Sequence, residues 1–220
     1  MNRPTLVLIR HAQSANNALP EHLRVPDPAL TPLGQRQAAA LAERLATWEL
    51  THLYCSPFLR SMQTMAAITA RSRLVPTVLP DLCEQGGCYE GHLPQALSPF
   101  PGMKRQEILQ HFPGWQLSSE INDGGWWFEK AYEDHSAAIR RARRVAEWIT
   151  DHIVPGGGMH AMVIHADFKS RLLEQLLNSD DYDSQSEPYN VSVTRLDWTD
   201  DKWLLSQYNC IEHLSDEIRS

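Results

Sequence analysis

Cysteine is scarce and scattered: Cys55, Cys83, Cys88 and Cys210 include no Cys-x-x-Cys pair. The chain therefore offers neither a thiolate zinc site nor a redox dithiol, and free thiols of a reducing compartment are the expectation. Positive charge is also in short supply. Twenty Lys and Arg stand against 27 Asp and Glu, a net charge of −7. Nucleic acid and anionic membranes both demand a basic field, so neither is expected as a partner. Long apolar runs are missing too. The N-terminal run Leu6 to Ile9 is closed by Arg10, too short for a signal-peptide core or a membrane span, which leaves a cytoplasmic location as the expectation. There is no internal repeat and no low-complexity tail. Any anionic substrate must be met by a few local cations.

What the chain does contain is an alternation of strand and helix signals. Thr5 to Ile9 is a continuous apolar run, the pattern of a strand buried on both faces. Thr31 and Pro32 form a helix start, followed by apolar residues at helical spacing to about Trp48. His52 to Ser56 reads as a strand, Phe58 to Ser72 as a helix and Thr77 to Leu79 as a short strand. A stretch dense in Gly, Pro and His follows, with one helical piece at Arg105 to His111. The spacing then predicts a helix from about Trp126 to Ile153, a strand at Ala161 to His165, a helix at Phe168 to Leu177, and a hairpin of Val191 to Trp198 and Trp203 to Tyr208. The implied fold class is α/β: a three-layer sandwich with a mostly parallel central sheet and helices on both faces. An irregular, partly helical insertion at about residues 86–126 would cap the active site within a single domain, 1–220.

Open α/β sheets place ligands at the carboxyl ends of their strands. Arg10-His11 follows the first expected strand, Ser56 to Arg60 the second, and His165 ends the fourth. Two histidines and two arginines at one sheet edge suit a phosphoryl group, whose charge in transfer is best met by fixed positive partners. Arg10 and Arg60 each offer a planar fork of donors. Asn17 can add an amide, and His165, if protonated, a third charged donor.

Five segments carry a resemblance: Leu6 to Asn17 (LVLIRHAQSANN), Asp27 to Ala38 (DPALTPLGQRQA), Tyr54 to Thr64 (YCSPFLRSMQT), Leu82 to Gly91 (LCEQGGCYEG) and Val163 to Phe168 (VIHADF). In this order they resemble the histidine phosphatase superfamily, which includes cofactor-dependent phosphoglycerate mutases. The resemblance implies a nucleophile at His11, attacking phosphorus to give a phosphohistidine, with Arg10, Arg60 and His165 as its catalytic partners. It places the proton-transfer carboxyl on Glu84, with Asp81 and Glu90 as local rivals; no metal or cofactor is expected, since the arginines do the charge work. A small phosphorylated substrate and inorganic phosphate as product follow, and a homodimer is left open. The chain departs from the family pattern where Gly usually follows each key histidine: Ala12 stands after His11, and Ala166 and Asp167 after His165.

Three functions compete on these residues: a metal-independent phosphomonoesterase, a sugar-phosphate mutase, and a phosphate-binding relative that has lost turnover. A mutase must grip a second phosphate, and between Cys83 and Trp126 the chain offers only Lys104 and Arg105 as cations. Hydrolysis is the leading expectation. His92, Trp126 and Trp127 are candidate substrate-pocket residues, although Trp126-Trp127-Phe128 could equally staple the insertion to the core. The run Arg140-Arg141-Ala142-Arg143-Arg144 is read as a solvated helix face. Asp180, Asp181 and Asp183 are read as a polar turn.

Overall fold

The first strand, β1 (Thr5–Arg10), is buried at all six positions, as a run apolar on both faces requires. The computed structural model describes residues 3–91, 97–177 and 187–220. After β1 come α1 (Ala15–Ala18), α2 (Pro32–Leu45), β2 (Leu50–Cys55), α3 (Leu59–Thr69), β3 (Thr77–Val78), β4 (Tyr89–Glu90) and β5 (Ser98–Pro99). The chain continues through α4 (Arg105–His111), β6 (Gln116–Leu117), α5 (His135–Ile153), β7 (Met159–Ile164), α6 (Ala166–Leu176), β8 (Val193–Thr199) and β9 (Lys202–Cys210). Local chemistry sets several of these limits. The Thr31 hydroxyl accepts from the Gly34 N–H (3.0 Å) with Pro32 in the first turn, so α2 starts where a cap and a preset φ coincide. Asp200 and Asp201 both lie in the left-handed region, at φ 49° and 56°, the geometry a tight β8–β9 hairpin demands.

Seven strands form the main sheet in the order β6-β3-β2-β7-β1-β8-β9. From β6 to β1 every neighbouring pair is parallel. The β8–β9 hairpin then runs antiparallel along the other edge. Val7, Ile9, Ala161 and Val163 face the layer that holds Leu41 of α2 and Met62 of α3. Leu6, Leu8, Met162 and Ile164 face the opposite layer, with Ile149 of α5 and Phe168 of α6. The result is a three-layer α/β sandwich with a mostly parallel central sheet.

Three expectations need correction. The helix expected from Trp126 begins at His135, because Asp134 caps it there by accepting from the Ala137 N–H (2.7 Å). Residues 124–131 instead turn, with Gly125 at φ 120° and Glu129 at φ 59°. The stretch taken as an irregular insertion also contributes strands: β6 pairs with β3 at the edge of the main sheet, and β4 pairs with β5. Their two-residue lengths gave no alternation to read. The hairpin strands are each offset by one or two residues, β8 starting at Val193 and β9 ending at Cys210. His92, Asp180, Asp181 and Asp183 lie outside the described residues.

Candidate active site

β1, β7 and β2 are adjacent and end level. The His11 N–H donates to the Ile164 carbonyl (2.9 Å) and the Ser56 N–H to that of Val163 (3.0 Å). Arg10 and His11 therefore leave the sheet beside His165 and Ser56. Arg60 arrives from the first turn of α3, whose start is held by Asp27: one carboxylate oxygen accepts from the Leu59 N–H (2.8 Å). The guanidinium lies over the Phe58 ring, 4.0 Å from its centroid, a stacking that suits arginine. Thr64 ties α3 to the β1 end, its hydroxyl donating to the Arg60 carbonyl (2.7 Å) and accepting from the Ala12 N–H (3.0 Å).

The tautomers of both histidines follow from their partners. His11 Nδ1 faces the Ala12 carbonyl at 2.7 Å, so it must be the donor. His11 Nε2 receives the Arg60 Nε–H at 3.1 Å, so it carries the lone pair. Burial, followed by the charges of Arg60 and Arg10, holds the His11 pKa well below its usual value. His165 mirrors it, 5.0 Å away between ring centroids. Its Nδ1 accepts from Arg60 (3.2 Å) and its Nε2 faces the Ser56 hydroxyl at 2.7 Å. Burial first, then Arg60, keep it well below the usual histidine range as well. The condition under which His165 would be a third charged donor is thus disfavoured in the free protein: with Arg60 donating to it in a buried site, the neutral ring is favoured.

Arg10 is buried and turned toward the segment before Asn190. It donates to the Pro188 carbonyl and pairs with the Glu187 carboxylate at 3.1 Å. Its Nε–H, also buried, has no hydrogen-bond partner among the described residues. Asn190 fixes the His11 backbone, donating to its carbonyl (3.0 Å).

Glu84 reaches the same place from a loop. One carboxylate oxygen accepts from the N–H groups of Gln85 (2.8 Å) and Phe168 (2.9 Å), and the other lies 3.4 Å from the Asp167 nitrogen. The carboxylate thus sits at the amino end of α6, the helix that His165 caps, where backbone donors favour a negative group. Burial and then the Asp167 charge outweigh those donors and raise its pKa. Glu84 and Arg60 line one cavity together. Of its local rivals, Asp81 pairs at 3.9 Å with the exposed Arg144, and Glu90 is exposed in β4.

The Ala residues that replace the family's Gly have ordinary backbones: neither Ala12 nor Ala166 has positive φ, so a Cβ costs nothing there. Asn17 lines a second cleft with Arg10 and Arg24. Its oxygen is occupied by the Ser14 N–H and hydroxyl (3.0 Å each), which leaves its NH₂ as the available donor. Trp126 and Trp127 do not line the Glu84–Arg60 cavity; they are 1% and 6% exposed and packed behind it. Trp126 meets Phe58 edge to face (centroids 4.7 Å). Trp127 covers Gly87, which has φ 75° and whose missing Cβ would fall 2.1 Å from the indole. Both tryptophans staple the insertion to the core, as the alternative reading had it.

Arg141 departs from the solvated-face reading of residues 140–144, which the exposed Arg140, Arg143 and Arg144 meet. It is 3% exposed, forms a two-pronged ion pair with Glu133 (2.8 and 2.6 Å) and donates to the carbonyls of Asp81 (2.7 Å) and Cys83 (2.9 Å). Its guanidinium stacks on Phe168 at 4.1 Å. This one side chain joins α5, the loop carrying Glu84, and the start of α6. Arg141→Leu leaves Glu133 buried and unpaired, so it is expected to lower stability by about 3–5 kcal/mol. Glu133→Leu/Arg141→Leu should lose less than the single variant. Urea unfolding of both checks this, and a single-variant loss under about 1 kcal/mol contradicts it.

A family profile described as histidine phosphatase superfamily (branch 1) matches residues 6–211. The chain belongs to that superfamily. It is similar to phosphoglycerate mutase-like protein 4 of Arabidopsis thaliana, at 27% identity over 219 residues, covering 96% of this chain and 87% of the relative. A metal-independent phosphoserine phosphatase of the same plant is 26% identical over 212 residues, 96% and 83% of the two chains. Among solved structures, a phosphoserine phosphatase of Entamoeba histolytica in complex with 3-phosphoglyceric acid shares the fold, with TM-score 0.67, 19% identity and coverage of 96% and 99%. Superfamily relatives thus carry both mutase and phosphatase names.

Sequence reasoning gave no individual role to Ser56, Phe58, Asp27 and Asn190, which contact His165, Arg60, the start of α3 and the His11 backbone. Ser56 and Phe58 fall within the Tyr54–Thr64 segment, and Asp27 within the next one upstream. Burial raises the Asp27 pKa to about 6, against the pull of Arg60 and the Leu59 N–H. Nothing local marks Asn190, whose role comes from the return of the chain beside β1.

Proposed function

We propose that this superfamily member is a metal-independent phosphatase that hydrolyses a small phosphomonoester through a phosphohistidine on His11. The observation that carries the reading is the His11 ring: Nδ1–H is held by the Ala12 carbonyl, and the Nε2 lone pair faces Arg60. A phosphoryl group entering beside Arg60 takes over the guanidinium, and Nε2 attacks phosphorus in line with the departing oxygen. Arg60 and the unpartnered Nε–H of Arg10 then face the phosphoryl oxygens, where charge-assisted bonds are strongest. The Asn17 NH₂ adds a neutral donor. The site's neutral His165 can take a proton once a phosphate dianion is beside it, since a negative neighbour raises a histidine pKa. Glu84, whose pKa is raised by burial and then by the Asp167 charge, is placed to deliver the proton the leaving alkoxide needs. As a carboxylate it then draws a proton from the water that attacks the phosphoenzyme.

Hydrolysis rather than mutation of a sugar phosphate is supported by where the insertion's cations lie. Arg105 is occupied with the carbonyls of Ser118 and Ile121 (3.2 Å each), and neither it nor Lys104 lines the cavity. The test is an alkaline quench during turnover of p-nitrophenyl phosphate, followed by intact-protein and peptide mass measurement. One phosphoryl group, stable in alkali, labile in acid and mapped to His11, is expected. Turnover with no such species, or turnover that requires 2,3-bisphosphoglycerate, overturns the proposal.

A further inference from the structure

Of the residues that α6 buries, Ala166, Phe168, Leu172 and Leu173 are apolar and Lys169 is not. It is 0% exposed. A buried cation ordinarily has a buried anion, as Arg141 has Glu133. Among the described residues no carboxylate pairs with Lys169: its amine donates to the Ser192 hydroxyl (3.4 Å) and lies 5.9 Å from the centroid of the Tyr208 ring. Its charged neighbour is Arg10, of the same sign, and burial followed by that charge pushes the amine down to about 7. Charging an amine in such a place is costly, and an anion bound nearby would offset the cost. The amine sits behind the phosphate side of the site. The Lys169 N–H donates to the His165 carbonyl (3.0 Å), one turn back along α6. Ser192, which holds the amine, accepts at its own carbonyl from the Arg10 N–H (3.3 Å), and the Val191 N–H donates to the Arg10 carbonyl (3.1 Å). Lys169 is thus joined through one residue to the arginine whose buried Nε–H has no partner among the described residues.

We infer that Lys169 is a buried counter-charge for the phosphoryl group: its amine takes a proton from solvent as a phosphate dianion settles on Arg10, and returns it when the dianion leaves. This rests on the hydrolase reading and adds a positioning residue to its phosphate site. Lys169 touches no reacting atom and acts through its field and through the strand end that carries Arg10. Its surroundings set the sign of the effect. Arg10 of β1 faces the amine, Tyr208 of β9 offers its ring, Ser192 its hydroxyl, and His165 stands one turn earlier on α6. From α5, Arg141 turns instead to Phe168 and Glu133, and Glu187 is engaged on the Arg10 guanidinium. The arriving dianion is therefore the anion this amine lacks. A negative neighbour favours the ammonium form, and in a dry interior that attraction carries farther than in water.

The test uses inorganic phosphate, and the chain has only four lysines, Lys104, Lys130, Lys169 and Lys202. The other three are exposed, so replacing each with Arg assigns the Lys169 signal in protein carrying isotope-labelled lysine. That signal should titrate near pH 7 in the free protein and about one pH unit higher with phosphate bound. Calorimetry reads the linked affinity. Phosphate should bind the wild type about tenfold more tightly than Lys169→Met near pH 6.5, where the amine is charged, and the ratio should fall toward one by about pH 9. Taking the ratio cancels the ionisation of phosphate itself and of His165, which both proteins share. A Lys169 signal that titrates at the same pH with and without phosphate, or an affinity ratio that does not change with pH, overturns the inference and leaves the hydrolase reading in place. If Lys169→Met folds poorly, the wild-type titration decides alone. If phosphate does not bind the wild type and no phosphoryl group forms on His11, the reading falls and the inference with it.

Discussion

His11→Ala is expected to lower kcat by roughly 10⁴ to 10⁶-fold, the scale on which loss of a nucleophile is felt when the rest of the site survives. The substitution removes the attacking nitrogen and the acceptor for Arg60 Nε–H, but leaves Arg10, Arg60, His165 and Glu84 to bind phosphate. Binding and turnover should therefore separate. Inorganic phosphate or vanadate should still protect the variant against heat, and no phosphoenzyme should form. His11→Asn is the companion, since its amide can still donate to the Ala12 carbonyl that His11 Nδ1 faces at 2.7 Å. If the nitrogen is a nucleophile the Asn variant is as inactive as the Ala variant. Recovery of a tenth or more of the wild-type rate in either variant would mean that His11 only positions Arg60, and the covalent route would fall.

The pH behaviour follows from the same neighbours. Attack requires neutral His11. Because burial, Arg60 and Arg10 press its pKa well below the usual value, the neutral ring persists well below the pH at which an exposed histidine takes up its proton. His11 should therefore set no limit to activity near neutrality. In the proposed reaction the limit on the alkaline side should come from Glu84, whose pKa is raised.

How far the sequence carries this site depends on what kind of signal each residue leaves. His11, Arg60 and His165 are legible because they sit at or just beyond the ends of apolar strands, and parallel strands β1, β2 and β7 bring such ends together. The fold class is legible for the same reason, since β1 reads as buried on both faces and the helices as striped on one. Arg141 was misread although its signal was present. The buried residues of α5 run Ala138, Arg141, Ala142, Val145, Ala146, Ile149, so Arg141 is in phase with the apolar stripe and Arg140, Arg143 and Arg144 are not. A charged residue in phase with a buried stripe implies a buried partner, and Glu133 is that partner. Trp126 and Trp127 mimic a helix start in sequence because aromatic residues fit either a stripe or a turn, and Asp134, a good cap, lies too far along to be preferred by periodicity alone. Asn190 leaves no pattern. Its position comes from the return of the chain beside β1, a contact that joins residues 179 positions apart.

Glu84→Gln separates the two halves of the reaction. With an alkyl phosphate such as glycerol 3-phosphate, the leaving alkoxide needs a proton that glutamine cannot give, and kcat/KM is expected to fall by roughly 10²–10⁴-fold. With p-nitrophenyl phosphate the phenolate departs unaided, so phosphorylation of His11 should be nearly normal. Hydrolysis of the phosphoenzyme still lacks its base, and the variant should therefore give a burst of nitrophenolate followed by slow turnover, with phosphohistidine accumulating on the protein. The wild-type pH profile gives a third reading of the same group. Burial and then Asp167 raise the Glu84 pKa, so its protonated form lasts to higher pH than an exposed glutamate's, and activity on alkyl phosphates is lost as pH rises through that raised value. The alkaline limb should vanish in Glu84→Gln. Asp167→Asn removes the second cause of the shift, so it should move the limb to lower pH while sparing the rate below it. Gln keeps an oxygen for the Phe168 and Gln85 N–H groups that hold Glu84 at 2.9 and 2.8 Å, so the loop geometry is preserved and a loss can be assigned to the proton. Equal losses on both substrates, with no burst and no accumulated phosphoenzyme, would assign Glu84 to holding its loop against α6 and leave proton transfer to another group.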